Sequence, residues 1–134
     1  MIVSLDNPKT CTWKAATSAL LRAAETGLYV RMVAVVGAPG SGKSYWCRGH
    51  DADDVLLFDC CQSTRRVRAQ VVWVAHHVGM PVDCTYMSTP IRVAIERIKG
   101  RDRHVPSDVV ERYYRQLKRE PPHIGEGYRA ITLA

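Results

Sequence analysis

Gly37-Ala38-Pro39-Gly40-Ser41-Gly42-Lys43-Ser44 satisfies GxxxxGK[ST] at every fixed position, directly after the Val-rich run Met32 to Val36 and ahead of the helical Tyr45-Trp46-Cys47. Strand, glycine loop and helix in that order are the context in which this motif cradles phosphates. The glycines let successive backbone N–H groups turn inward as an anion nest, and the following helix aims its positive end at the same place. Lys43 then reaches the β and γ phosphates of a nucleoside triphosphate, and Ser44 offers a hydroxyl to magnesium. Gly37 through Tyr45 are therefore the expected nucleotide-binding residues, with ATP or GTP as the ligand and Mg2+ as the cofactor.

Two carboxylates sit where apolar runs end. Asp59 closes Val55-Leu56-Leu57-Phe58 sixteen residues after Lys43, a spacing suited to orienting magnesium or its waters; the alternative is an Asp that caps the next helix. Asp6 follows the run Met1 to Leu5, where a base would align a hydroxyl nucleophile and take its proton; the alternative is an N-cap ahead of Pro8. Lys9, about one turn later, and Arg65, after Asp59, are candidate holders of an anionic acceptor, against the reading of solvated surface side chains.

Arg97, Lys99, Arg101 and Arg103 cluster around Gly100. A glycine hinge carrying mobile cations is how a lid clamps a transferring phosphoryl group. Arg97 is assigned to the nucleotide and Arg101 and Arg103 to the reacting phosphate, in a lid at about 97–106; a plain basic loop is the other reading. His50, His76, His77, His104 and His123 have no partners at metal-ligand spacing. The five cysteines include no CxxC pair, and most of them read as small buried hydrophobes of a reducing compartment.

The elements that must position these groups alternate. Met1 to Leu5, Met32 to Val36, Val55 to Phe58, Val82 to Met87 and Tyr128 to Leu133 read as strands. Lys9 to Thr26, Thr64 to Val78, Ile91 to Lys99 and a segment from Val105-Pro106-Ser107-Asp108 to about Lys118 read as helices, with Gly27 closing the first. Apolar strands alternating with helices predict a parallel sheet covered on both faces, with ligands beyond the carboxyl ends of its strands. Asp6, the glycine loop and Asp59 would gather at that edge.

A chain of 134 residues with 46% hydrophobic content supports a single domain, 1–134, with a core that needs no disulfides. No apolar run approaches the roughly 18 residues of a membrane span, and no basic leader precedes one, so a cytoplasmic location without membrane association is expected. The formal charge of +6 favours a polyanionic partner such as nucleic acid or nucleotide.

Taken together, these residues resemble the kinase domain of the 5'-hydroxyl polynucleotide kinase family, including the kinase half of polynucleotide kinase phosphatases. GAPGSGKS is similar to that family's phosphate loop, and Asp59 with the Gly79 to Pro81 close looks like its second carboxylate segment, although Cys60, Cys61 and Gln62 stand where the family more often has Thr and Asn. His104-Val105-Pro106, Tyr113-Tyr114-Arg115, Glu120-Pro121-Pro122 and Glu126-Gly127-Tyr128 are similar to its lid and C-terminal signature. The likeness covers residues 32 to 134.

The departure is one of order. In the family a strand ending in the catalytic Asp lies between the phosphate-loop helix and the second carboxylate strand, and the sixteen residues from Lys43 to Asp59 leave no room for it. The unit from Val3 to Thr26 looks like that strand and helix moved to the front. The resemblance thus implies a three-layer, kinase-like P-loop NTPase fold with a helical lid, circularly permuted, in which Asp6 is catalytic and Lys9 stands where the family usually carries Arg for the acceptor phosphate. It further implies transfer of the γ-phosphate of ATP or GTP to the 5'-hydroxyl end of RNA or DNA, with any phosphatase or ligase activity on other chains. A kinase of a small hydroxyl acceptor and a nucleotide-binding module without transfer remain as alternatives, and oligomeric state is left open.

Overall fold

In a computed structural model, residues 1–101 and 105–134 are described. Five strands, β1 (Ile2–Ser4), β2 (Arg31–Val36), β3 (Val55–Asp59), β4 (Val82–Tyr86) and β5 (Ile131–Leu133), form one sheet. Every pairing is parallel and the order is β1-β3-β2-β4-β5. The glycine-loop strand β2 is therefore central, and β1 lies at the edge beside β3, with Ser4 in register with Asp59.

The central strands are apolar throughout because both their faces are buried. Met32, Ala34, Val36, Leu56 and Phe58 point into the larger core, under helices α1 (Trp13–Glu25) and α3 (Arg65–His77), while Val33, Val35, Val55 and Leu57 meet Cys47 of α2 (Lys43–His50) on the other face. Phe58 and Leu56 are fully buried, each such side chain stabilising the fold by about 1.5–3 kcal/mol. Helices α4 (Ile91–Lys99) and α5 (Ser107–Arg119) pack on each other through a satellite core of Ala94, Ile98 and Val110.

The expected helix from Lys9 is two elements. Asn7 accepts a hydrogen bond from Lys9 N and starts a 3-10 turn at Pro8–Thr10, whereas Thr12 accepts from Ala15 N and starts α1. Two side-chain caps in quick succession break the helix there. Gly27, at φ +75, follows the helix end as expected. The last strand begins at Ile131 rather than Tyr128, whose ring is buried in the larger core instead. Among the described residues no helix is long and apolar enough to cross a membrane.

Candidate active site

Parallel strands deliver their carboxyl ends to one edge, and here that edge encloses a cleft of about 290 Å³ bordered by Asp6, Lys43, Ser44, Asp59, Cys61 and Arg101. Asp6 arrives two residues beyond β1, the glycine loop follows β2, and Asp59 is the last residue of β3. Pro39, Gly40 and Gly42 of the loop line the cleft, and Val109 and Tyr113 close it from α5.

The loop is bound tightly to its surroundings. Gly37 N–H donates to Cys61 O at 3.3 Å, and Lys43 Nζ donates to Ala38 O at 3.0 Å, so the ammonium lies over its own loop. Lys43 is only 9% exposed. Gly40 and Gly42 adopt φ +79 and +96, and a Cβ at Gly40 would collide with the Ala94 carbonyl oxygen of α4, so only glycine fits that close approach. Arg97 Nη1 donates to Gly40 O at 3.3 Å, which fixes the last turn of α4 to the loop. Thr89 Oγ1 donates to Ser41 O at 2.7 Å, and Tyr114 Oη donates to Thr89 O at 2.6 Å. The buried Ser41 hydroxyl has no partner among the described residues.

Ser44 Oγ donates to Asp59 Oδ2 at 2.7 Å. Burial pushes the Asp59 carboxyl above its ordinary range, the Ser44 hydrogen bond and Lys43 oppose that, and the charge of Asp6 adds to it. Burial likewise pushes the Cys61 thiol up, with Lys43 opposing. A hydroxyl and a carboxylate side by side are the hard oxygen donors that magnesium takes together with substrate phosphates. Among the described residues no group of three or more His, Cys, Asp or Glu could hold a metal alone, so a cation at this pair would need a ligand's oxygens as well.

Neither aspartate takes the capping role that the residues alone left open: Asn7 caps the 3-10 turn, and Thr64 caps α3 by accepting from Val67 N. The structure brings Asp6, Lys43, Ser44, Asp59 and Arg101 to one cleft. Lys9 and Arg65 are exposed and line no part of it, and Tyr45 projects from α2 with 81% of its surface exposed. Arg103 and His104 fall outside the described residues. Cys11 is exposed, Cys61 partly so, and Cys47, Cys60 and Cys84 are buried as expected.

Two positioning residues carried no motif. Gln62, at φ 51, is buried and donates from Nε2 to Val35 O, Phe58 O and Cys60 O, stitching the tips of β2 and β3 together. Arg68 is wholly buried: Nη1 donates to Gln62 O at 3.1 Å, Nη2 to Glu120 O at 2.7 Å, and Nε to the Glu126 carboxylate at 2.8 Å. The only sequence signal for Arg68 was an arginine on the apolar stripe of its own helix. Neither a scan against protein-family models nor a search of the curated proteins finds a match to this chain.

Proposed function

We propose that the chain is a P-loop phosphotransferase that moves the γ-phosphate of ATP or GTP to the 5'-hydroxyl end of RNA or DNA. The observation that carries this reading is the shared cleft: a carboxylate from β1, Asp6, opens onto the same space as Lys43, Ser44, Asp59 and Arg101. In the reaction the hydroxyl oxygen bonds to the γ phosphorus, the bond to the nucleoside diphosphate breaks, and Asp6 takes the hydroxyl proton.

The backbone N–H groups of Gly37 to Ser44 hold the phosphates, while Lys43 and Arg101 balance charge on the oxygens in transit. Ser44 and Asp59 would hold magnesium, which when bound neutralises charge on the β and γ phosphates. Circular permutation is part of the proposal. Moving β1 and α1 from the front of the chain to a point between α2 and β3 changes none of the strand pairings, and a parallel sheet places no demand on which unit is translated first.

Incubation with γ-labelled ATP or GTP, magnesium and 5'-hydroxyl oligonucleotides of RNA and DNA tests the reading. Label on the oligonucleotide 5' end is the expected result. Label moving only to nucleosides or sugars would replace it with a small-acceptor kinase, and tight nucleotide binding with no labelled product would replace it with a binding module.

A further inference from the structure

We infer that the groove between α1 and α3 is a single-strand nucleic-acid track, with Trp73 as a base-stacking platform for nucleotides downstream of the 5' end. The inference rests on the proposed acceptor class and extends it to a surface outside the cleft. The groove holds about 440 Å³ and runs between Thr17, Ser18 and Leu21 of α1 and Ala69, Gln70 and Trp73 of α3. Trp73 is 56% exposed and borders this groove, on a helix whose other face is core.

Its ring is held ready by His77, which stacks on it at 4.6 Å and 15°. The outward stripe of α3 reads Arg66, Ala69, Gln70, Trp73, His77, and the helix contains no Asp or Glu. Across the groove α1 exposes Lys14 and Arg22 against the single acid Glu25. Cations flanking an open aromatic face are the pattern of sequence-tolerant single-strand binding, in which phosphates meet the charges and bases stack on the ring.

The groove also has the right origin. At its upper end Trp13 Nε1 donates to Gln70 Oε1, joining the two helices, and the Trp13 ring packs edge-on against Phe58 at 5.6 Å, one residue before Asp59. Arg65 begins α3, and Trp73 lies about 12 Å further along it at 1.5 Å per residue. That is three or four stacked nucleotides at roughly 3.4 Å each. Arg65, which lines no part of the cleft, has a place on this path.

The test measures binding and transfer separately on the full chain. Fluorescence anisotropy of labelled single strands of two, four and ten nucleotides, each with a 5' hydroxyl, should show affinity rising beyond the dinucleotide. Trp73→Ala should remove that gain, weakening the ten-nucleotide strand by roughly five-fold or more, Trp73→Phe should restore most of it, and dinucleotide binding should be unchanged. Arg66→Glu should weaken the long strand and flatten its salt dependence, while far-ultraviolet circular dichroism of each variant matches the parent. Transfer that proceeds with no length dependence, or equal binding of long strands by Trp73→Ala, would overturn the track and leave the phosphotransferase intact. Length-dependent binding lost in Trp73→Ala, with no transfer by the parent, would uphold the track and remove the phosphotransferase. A concentration-dependent dimer that Trp73→Ala dissolves, without change in strand binding, would assign the groove to a second copy and overturn the inference.

Discussion

Ser44 and Asp59 join the first turn of α2 to the tip of β3: the hydroxyl that follows Lys43 donates to a carboxylate oxygen 2.7 Å away. Burial raises the Asp59 pKa from its ordinary 3.8. A carboxyl with a raised native pKa leaves the fold undisturbed below the unfolded value and costs stability as pH climbs through the native one.

Asp59→Asn removes that charge and keeps an oxygen for Ser44. Its melting temperature at pH 7 should equal or exceed the parent's, and the difference should vanish as pH falls to about 4. The magnesium-dependent part of nucleotide stabilisation should be absent in the variant, and in the parent it should weaken as acid protonates Asp59. Thermal shift across pH, with nucleotide and with or without magnesium, reads both effects.

Asp6→Asn separates chemistry from binding. Loss of a positioned base costs about 10²–10⁴ in rate, so kcat should fall by that order in the labelled-phosphate assay. Nucleotide affinity by calorimetry should stay within about two-fold, since in the proposed function the phosphates are held by the loop after β2 and not by Asp6.

Gly40 and Gly49 should respond in opposite directions to the same change. Gly40→Ala places a methyl at φ +79 against the Ala94 carbonyl, costing about 1–3 kcal/mol of stability together with most of the nucleotide affinity. Gly49 lies within α2 with open space around its Cβ position, so Gly49→Ala should add about 0.5–1 kcal/mol. Urea unfolding of both variants beside the parent measures the contrast.

Much of this architecture was legible along the chain because buried parallel strands announce themselves as unbroken apolar runs, as at Met32 to Val36 and Val55 to Phe58. The glycine loop was legible because its chemistry is local to eight consecutive residues. Arg68 was not, since its meaning lies in carbonyls and a carboxylate more than fifty positions away at Glu120 and Glu126. Gln62 was hidden for a related reason: its three acceptors are Val35 O on β2, Phe58 O on β3 and Cys60 O just past β3. The start of α1 lies beyond the expected Lys9 because Asn7 and Thr12, each bonding its own local backbone, divide a segment whose Pro8 and periodicity agree with one continuous helix.

Arg68→Ala should be among the most damaging single substitutions. It strands the Glu126 carboxylate, whose side chain is only 3% exposed, and breaking one half of a buried pair costs about 3–5 kcal/mol. The double variant Arg68→Met with Glu126→Leu should recover a large part of that loss, because no unpaired charge remains. Chemical denaturation of the parent, Arg68→Met, Glu126→Leu and the double variant closes the cycle that gives the coupling.

The same guanidinium imposes a timetable on biosynthesis. A ribosome delivers the sheet's central strands and α3 long before Glu126, so the growing polypeptide carries an inward-facing cation whose counterpart has yet to leave the exit tunnel. The Arg68 bond to Gln62 O spans only six positions, whereas its bonds to Glu120 O and the Glu126 carboxylate tie α3 to a segment more than fifty positions further on. Order beside α3 is therefore coupled to docking of the segment that carries Glu120 and Glu126, and not only to the residues that neighbour Arg68 in sequence.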